Sequence, residues 1–415
     1  MNKKGEYMEK IKSFTEKHTK VILLGIFILG IVVYLILASK MTVPVYKWVD
    51  EELYVSMART FHFDGNFAKH YQVLNYNCVI YSMVLSIAYF FYSASTIVFT
   101  MRFVGVLLMI SSIFPIYLLS KEIWGSKFKA ILIAGVSLLI PEFATSFYLV
   151  QEVLLYPVFL WTVYLIYRKF VQNSGKLVDI AIIILLALLF FIKSYAIVFA
   201  MAYFGTLLLI ELKNKNYKKL GIEIGKGLLC LGIILLGILA IKLFNGEGVN
   251  HYDGQIARIF PITMVEIKAF FYGIFYYAVF FLFCMGFLPI FIPIFKIKKY
   301  EETDRKFILF LILSTIFTII EVAAIVFIPE ERAKIYPDKF CYRYLSILAV
   351  PYILMLLKCK KEDVQINKTM ILLYIISFAY LIWYYIGQGT GTTAIDAPML
   401  FAIQVTRVLK LRTNF

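Results

Sequence analysis

The chain has 415 residues, of which 61% are hydrophobic, 17% aromatic and only 16% charged. A soluble domain usually carries about 25% charged residues, so this composition excludes an ordinary soluble globular protein and indicates a chain that lies in lipid. The formal net charge is +16, but the basic residues stand in short loops between apolar runs, which indicates cytoplasmic membrane loops rather than nucleic-acid binding.

The apolar runs predict an all-α integral membrane protein, because roughly 18 apolar residues cross a bilayer as a helix and open strands cannot satisfy their backbone in lipid. The first run, Val21 to Ala38, is expected to remain as a helix, since no small-residue cleavage site follows it. The eleven predicted spans are 20–39, 102–120, 130–148, 152–168, 179–193, 196–212, 222–244, 271–295, 307–328, 344–358 and 369–387.

The basic residues also predict the orientation. Six lysines before residue 21 place the N-terminus in the cytoplasm. If the additional apolar run 76–92 crossed the membrane, the basic loop 121–129 and every later basic loop would lie outside, so this run is expected to lie along the surface or to re-enter. Residues 1–387 then form one transmembrane domain whose first extracytoplasmic loop is 40–101, and 388–415 form a short extracytoplasmic tail.

Acidic residues follow directly after the first predicted span, at Asp50-Glu51-Glu52. If residues 50–61 are helical, Asp50 shares a face with Tyr54, while Glu51 and Glu52 point to either side. A carboxylate here could act as a general base towards an acceptor hydroxyl. It could equally be part of a solvated first helical turn, where acidic residues are common.

The pair Asp50-Glu51, followed by Tyr54, Ala58-Arg59 and Gly65, resembles the GT-C superfamily of membrane glycosyltransferases. The similarity is greatest to the lipid A aminoarabinose transferases and the protein O-mannosyltransferases. The resemblance implies a GT-C bundle with juxtamembrane helices in the first outer loop and a polyprenyl-phosphate sugar as donor. It also implies that Asp50 is the catalytic base, that Glu51 assists it, and that Tyr54 and Arg59 bind substrate.

Two later motifs are similar to the same superfamily. Pro141-Glu142 and Gln151-Glu152 match its second outer loop, which implies that Glu152 is a third acidic site residue. Arg343-Tyr344 with Pro351 matches a pattern that opens a late span, where the arginine meets the carrier phosphate. Glu152 could instead cap a helix, and Arg343 could anchor a helix end in the lipid headgroups.

The remaining candidates are weaker. Arg102, placed at the start of the second predicted span, resembles a recurrent family arginine that binds substrate. Lys193 interrupts an apolar stretch and could contact the carrier phosphate or extend to the interface. His62, His70 and the His251-Tyr252-Asp253 group could take part in a divalent cation site, although their spacing identifies no metal ligands.

The chain also departs from the two families named above. Residues 73–77 lack the acidic–Lys–Pro motif of the aminoarabinose transferases, which speaks against that sugar. The 245–270 loop is too short for the inserted domain of the O-mannosyltransferases, which speaks against a protein acceptor.

The sequence therefore predicts an inverting glycosyltransferase that moves a sugar from a polyprenyl-phosphate carrier to a glycan or lipid acceptor at the extracytoplasmic face. The lipid-linked sugar donor is the expected co-substrate, and a divalent cation is a further candidate cofactor. The partners are membrane lipid, donor and acceptor, and the oligomeric state stays open. The alternatives are a transporter or flippase of lipid-linked sugars, a polymerase or ligase of lipid-linked glycans, and a non-catalytic membrane scaffold.

Overall fold

The computed structural model describes residues 3–40, 49–172, 175–246, 248–250, 263–285, 287–327, 343–360, 362 and 367–388. Helices make up most of these ranges. The chain forms two compact units. The first contains Met1–Leu185, Phe191–Lys193 and Phe244–Gly246, and the second contains Leu186–Phe190, Ser194–Leu243 and Glu247–Phe415.

The α-helices in the first half of the chain are α1 (Lys3–Lys17), α2 (Thr19–Lys40), α3 (Val49–Asp64), α4 (Ile80–Leu85), α5 (Ala94–Ile110), α6 (Ile113–Trp124), α7 (Lys127–Ser137), α8 (Glu152–Gln172) and α9 (Lys176–Ile192). Those in the second half are α10 (Ile197–Lys213), α11 (Tyr217–Asn245), α12 (Met264–Cys284), α13 (Leu288–Phe295), α14 (Glu302–Val322), α15 (Arg343–Ser346), α16 (Ala349–Lys358) and α17 (Lys368–Gln388). Short 3₁₀ helices cover Ser86–Phe90, Pro141–Phe147, Ser194–Ala196 and Ile297–Lys299, a π-helix covers Ala323–Phe327, and the strands are β1 (Ala68–Lys69), β2 (Gln72–Asn75) and β3 (Val249–Asn250).

Seven helices of the described chain are long and apolar enough to cross a membrane: Thr19–Ser39, Ala94–Trp124, Glu152–Gln172, Ser194–Lys213, Tyr217–Asn245, Met264–Leu282 and Glu302–Ile325. The bent pair Lys127–Ser137 and Pro141–Phe147, with 54° between its two parts, makes an eighth if it is one span. Within the apolar stretches of Thr19–Ser39 and Tyr217–Asn245, only 17% and 11% of the residues are buried in the protein. Large apolar faces of these two helices are therefore left for lipid.

A hydrophobic cluster joins α2, α6 and α7 in the first unit. Leu23 of α2 packs with Ile113 and Tyr117 of α6 and with Ala130 and Ala134 of α7. Gly30 of α2 lets its helix approach closely, since a Cβ there would meet Ile110 at 3.0 Å and Leu138 at 3.2 Å.

A β-hairpin follows α3 in the first unit. Its strands pair Ala68 with Val73 and Lys69 with Gln72. The two turn residues, His70 and Tyr71, both have positive φ, at 50° and 65°. This is the geometry of a type I′ turn, which normally carries Asn-Gly, so these two residues occupy it with strain.

Asn245 fixes the hairpin. Its side-chain oxygen accepts a hydrogen bond from the Phe67 amide at 2.7 Å, and its amide donates to the carbonyls of Phe67 and Leu74.

Polar contacts tie α14 to α16 in the second unit. The Tyr300 hydroxyl, just before α14, donates to the Met355 carbonyl at 2.8 Å. Buried Asp304 forms an ion pair with Lys358 at 2.6 Å. These contacts lie at one end of α14, and the Tyr352 hydroxyl meets Thr315 further along it at 2.9 Å.

Several predicted spans differ from the observed helices. The predicted span 271–295 is two helices, α12 and α13, separated where Phe287 takes a φ of 62° just before Pro289. The predicted span 344–358 comprises α15 and α16, and each is too short to cross a bilayer alone. The predicted span 179–193 corresponds to α9, which has 17 residues and is not among the seven candidates. A bundle of eleven spans therefore stays a prediction.

The run 76–92 contains no long helix. Its helical part, Ile80–Phe90, is α4 followed by a 3₁₀ segment, and it is shorter than a span.

Candidate functional site

The acidic residues after the first span form the first turn of α3. Helix α3 begins at Val49 and includes residues 50–61, and an acidic first turn suits the positive end of the helix dipole. The three side chains differ in exposure: Glu51 is buried, while Asp50 and Glu52 are half-buried. Tyr54 and Ala58 of the same helix are buried too.

Glu51 binds the chain segment that precedes α8. Its carboxylate accepts a hydrogen bond from the Leu149 amide at 2.9 Å. Tyr148 has an extended backbone after the 3₁₀ helix Pro141–Phe147, so the amide of the next residue, Leu149, has no helical carbonyl to bond. A buried backbone N–H without a partner is costly, and Glu51 removes that cost.

Glu52 faces the hairpin instead. Its two oxygens meet the Lys69 ammonium at 3.1 Å and His70 Nε2 at 3.0 Å. The hydrogen bond from Lys69, followed by the charges of Lys69 and His70, lowers the pKa of Glu52 below its ordinary value of 4.5. Glu52 therefore joins the strained turn to α3. Its contacts are with the hairpin, whereas Glu51 bonds the segment before α8.

Glu152, the first residue of α8, forms an ion pair with Lys193. Their side chains are only 10% and 11% exposed, so both charges are largely removed from water. The Lys193 ammonium therefore binds a largely buried carboxylate, and its contact with a carrier phosphate stays a prediction.

Gln151 connects the stretch before α4 to the start of α8. Its side-chain amide donates to the Tyr76 hydroxyl at 3.3 Å and to the Cys78 carbonyl at 3.0 Å. Together with the bond from Leu149 to Glu51, these contacts bring the start of α3, the approach to α4 and the start of α8 to one place.

Tyr81 of α4 lies where the starts of α3 and α8 and the approach to α4 meet. It is fully buried, and its ring meets the Tyr54 ring edge-on with centroids 5.6 Å apart. Burial, followed by the charges of Glu51 and Glu152, raises the pKa of Tyr81 well above its ordinary value of 10.0. Both carboxylates are thus close enough to act on the same phenol, which sequence analysis did not single out. We call Glu51, Tyr81, Glu152 and Lys193 the acidic cluster.

Tyr148 lies at the edge of the acidic cluster. Burial, followed by the charge of Glu51, raises its pKa to about 12. The phenols of Tyr81 and Tyr148 therefore remain protonated at neutral pH, and act there as hydrogen-bond donors rather than as bases.

The acidic cluster has the parts needed for proton transfer from a hydroxyl. Lys193 neutralises one of its two buried carboxylates, and a backbone amide stabilises the other. The half-buried Asp50 adjoins Glu51 in the chain, and its partial exposure suits a base that a substrate must reach.

A further buried carboxylate, Glu142, belongs to a different group of side chains. It interacts electrostatically with Tyr34 and Tyr156, whose rings both pack against Phe143. Within the described chain, Glu142 Oε2 and the Tyr156 hydroxyl have no hydrogen-bond partner. The Pro141-Glu142 motif therefore contributes to packing around α2 and α8, and Glu142 and Glu152 belong to different groups of side chains.

The other predicted substrate residues lie on α3, α5 and α15. Arg59 is exposed on α3, and Arg102 lies well inside α5 rather than at the start of a span. Arg343 and Tyr344 open α15 in the second unit, where the Tyr344 ring meets the Tyr195 ring edge-on at 4.8 Å. The Arg343 guanidinium lies 5.3 Å from the Tyr344 ring centroid.

The histidines considered for a metal have separate surroundings. His62 packs on the Phe90 ring at 4.7 Å, whereas His70 bonds Glu52. In the part of the chain that the structure describes, no group of three or more His, Cys, Asp or Glu side chains is placed to hold a metal ion. The His251-Tyr252-Asp253 group lies outside the described residues.

Length, apolar composition and exposed apolar faces of the helices define the class of protein: an α-helical, multi-pass membrane protein. Comparison of the chain with protein-family models, curated proteins and solved structures finds no match to any of them. The function is therefore inferred from the acidic cluster and from the sequence motifs that supply its carboxylates.

Proposed function

We propose that the protein is an inverting glycosyltransferase of the GT-C kind, which uses a polyprenyl-phosphate sugar as donor and a glycan or lipid hydroxyl as acceptor. The observation that carries the proposal is the acidic cluster, in which side chains from α3, α4 and α8 meet beside Asp50. Two of these helices, α3 and α8, begin with the acidic motifs that resemble one enzyme superfamily.

The proposed reaction is a single displacement. Asp50 takes the proton of the acceptor hydroxyl, whose oxygen forms a bond to the anomeric carbon of the sugar. The bond from that carbon to the phosphate oxygen breaks, and the polyprenyl phosphate leaves with the electron pair. Glu51 and the Glu152–Lys193 pair hold the site in shape and set its charge.

The proposed membrane arrangement is a bundle of about eleven spans with a cytoplasmic N-terminus and an extracytoplasmic site. It is supported by the basic loops of the sequence and by the short helical part of the run 76–92, which suits a helix that lies at the surface. A role for Arg343 at the carrier phosphate remains a prediction from the sequence, and so do roles for Tyr344, Arg102 and Arg59.

Purified protein in lipid nanodiscs provides the test. We expect wild-type protein to transfer sugar from at least one polyprenyl-phosphate hexose or pentose, and mass spectrometry should detect a missing glycan in cells that lack the gene. Asp50→Asn should lower transfer by about 10²-fold or more, the scale of a lost general base, without changing the melting temperature.

Asp64→Asn is the matched control, because Asp64 is an exposed acid at the other end of the same helix. Full activity of Asp50→Asn would remove the base assignment. Unchanged glycans and lipids in cells without the gene would remove the transferase proposal.

Transport of a lipid-linked sugar is the second candidate, and one observation favours it. Glu321 lies in α14, a candidate span of the second unit, and its Oε2 atom is buried without a hydrogen-bond partner in the described chain. Ionisable groups inside spans commonly serve transport pathways. Movement of a labelled polyprenyl-linked sugar across proteoliposomes without covalent transfer, lost in Glu321→Gln, would favour the transporter.

A further inference from the structure

Exposed basic side chains gather at one end of three candidate spans in the second unit. The span Ser194–Lys213 ends there, and the spans Tyr217–Asn245 and Glu302–Ile325 begin there. The basic residues lie in the turn between α10 and α11, in the segment before α14, and at the adjoining helix ends. We call six exposed residues the basic patch: Lys213, Lys215, Lys218, Lys298, Lys299 and Arg305.

Contacts between the helix ends join the two parts of the basic patch. Buried Glu211 of α10 forms an ion pair with Lys219 of α11 at 2.8 Å, which holds the start of α11 against the end of α10. Helix α10 packs along α14, and the charge of Lys213 acts on Glu302 at the start of α14. The α10–α11 turn and the segment before α14 therefore form one surface.

The acidic residues of these two segments are bound by lysines outside the basic patch. Ion pairs at 2.8, 2.6 and 2.6 Å join Glu211 to Lys219, Glu302 to Lys306, and Asp304 to Lys358. The fourth acid, Glu301, lies 3.9 Å from the same Lys358. Residues 211–219 and 296–306 contain nine basic and four acidic residues, so this surface keeps an excess of positive charge.

Exposed apolar side chains lie directly beside these cations in the chain. Leu212, Tyr217 and Phe295 are 50%, 69% and 44% exposed. A tyrosine at the end of a span is typical of the membrane interface, where lysine and arginine also keep their charged ends at the level of the headgroups. A partner that matches this surface therefore carries an anionic group joined to an apolar chain.

We propose that the basic patch binds anionic phospholipids, whose phosphates meet its ammonium and guanidinium groups and whose acyl chains contact the neighbouring apolar side chains. Charge-assisted hydrogen bonds from lysine and arginine to phosphate oxygens supply the attraction. The basic loops are predicted to be cytoplasmic, and anionic lipids give the cytoplasmic leaflet its negative surface potential. The inference concerns membrane lipid alone and does not rest on the proposed transferase reaction.

The test replaces three lysines that lie outside the ion pairs above, in the triple variant Lys215→Gln/Lys218→Gln/Lys298→Gln. Full-length protein in uncharged detergent is titrated with dioleoyl phosphatidylglycerol or dioleoyl phosphatidylcholine, and native mass spectrometry counts the bound lipids. Wild type should bind phosphatidylglycerol more tightly than phosphatidylcholine. A lysine near an anionic headgroup contributes about a fivefold gain in affinity, so the triple variant should bind phosphatidylglycerol about 10²-fold more weakly. Arginine at the same three positions should preserve the binding, because it keeps the charges.

The matched control is Lys12→Gln/Lys17→Gln/Lys20→Gln, which removes three exposed lysines from α1 and the start of α2. It should keep the tight binding of phosphatidylglycerol. The melting temperature supplies a second measurement, since a ligand that binds the folded state stabilises it. Phosphatidylglycerol should raise the melting temperature of wild type, of the arginine variant and of the control, but not that of the glutamine variant.

Three results would overturn the inference. Equal affinity of wild type for the two lipids, or an equal loss in the triple variant and the control, would leave only general attraction between a basic protein and lipid. A loss that arginine does not repair would identify altered structure rather than missing charge as its cause. Glycerol 3-phosphate has the anionic group without acyl chains, and if it binds as tightly as phosphatidylglycerol, the basic patch is a site for a soluble anion instead.

Discussion

Replacing Lys193 by methionine would remove the positive charge that faces Glu152 and keep an apolar chain in its place. Both side chains are about nine-tenths buried, so water can do little to screen the carboxylate that remains. At an effective dielectric constant of about 20 and a separation of about 3 Å, the lost attraction is about 5 kcal/mol. Removing one partner of a buried pair typically costs about 3–5 kcal/mol. We therefore expect Lys193→Met to lower the free energy of unfolding by about 3 kcal/mol.

The double variant separates the pair from its surroundings. Adding Glu152→Gln to Lys193→Met removes the uncompensated charge, and the stability should return to within about 1 kcal/mol of wild type. Transfer activity should stay low in the double variant, because the Glu152 carboxylate and its cation are both missing from the acidic cluster. Stability and activity should thus respond differently to the same second substitution.

Reversible denaturation in mixed micelles measures these free energies. Lys10→Met is the control, since Lys10 and Glu6 form an exposed pair with side chains 74% and 59% accessible. That pair should contribute no more than about 0.5 kcal/mol. If Lys193→Met costs no more than Lys10→Met, or if Glu152→Gln adds a further loss, the argument from burial is wrong.

Three further predictions concern the hairpin beside α3. Lys69 and His70 lower the pKa of Glu52, so their contacts with Glu52 stabilise the folded state above the ordinary pKa of 4.5, and this contribution is lost as pH falls through the folded pKa. The melting temperature of wild type should therefore fall more steeply below pH 4.5 than the melting temperature of Glu52→Gln. Tyr71→Gly should stabilise the protein by about 0.5–1 kcal/mol, because glycine takes a positive φ without strain, and its entropy in the unfolded chain offsets part of that gain. Asn245→Ala should destabilise by about 3 kcal/mol, because it leaves buried hairpin backbone groups without partners; calorimetry in detergent measures both changes.

Matched substitutions distinguish these effects from general damage. Tyr92, like Tyr71, is fully exposed but has no positive φ, so Tyr92→Gly should bring no gain in stability. An equal gain from both substitutions would contradict the strain at Tyr71. Asn216→Ala controls for Asn245, since the Asn216 side chain is exposed and only bonds the Lys219 amide.

Local signals in the sequence indicated where two helices of the acidic cluster begin. Acidic residues directly after the first predicted span are typical of a helix start such as that of α3, and an acid before an apolar run predicted that α8 begins at Glu152. Both depend on interactions within one helical turn, where the dipole and the lack of amide partners favour carboxylates. Such short-range effects are visible without knowledge of the fold.

Long apolar runs concealed the breaks in several spans. Where every side chain is apolar, the sequence has no helical period, so one long helix and two short ones look alike. The stretch Met285-Gly286-Phe287-Leu288-Pro289 contained the signal that was missed, since glycine followed by proline commonly ends one element and begins another. Tyr81 gave no signal at all, because a tyrosine in an apolar run usually indicates the membrane interface.

Two buried acid–phenol groups of the described chain show what an unbonded hydroxyl costs, and in one of them the Tyr81 hydroxyl lies near Glu51 without a hydrogen-bond partner. Tyr156 beside Glu142 has an unbonded hydroxyl too, so burial in this chain can leave a phenol without a partner where no substrate is proposed. An unsatisfied hydroxyl costs about 1–3 kcal/mol in either place, and both phenylalanine variants should therefore gain stability to a similar degree. Equal gains in the free energy of unfolding for Tyr81→Phe and Tyr156→Phe, measured by reversible denaturation, would identify both hydroxyls as packing defects. A loss of stability in either variant would contradict the cost assigned to the unbonded hydroxyl.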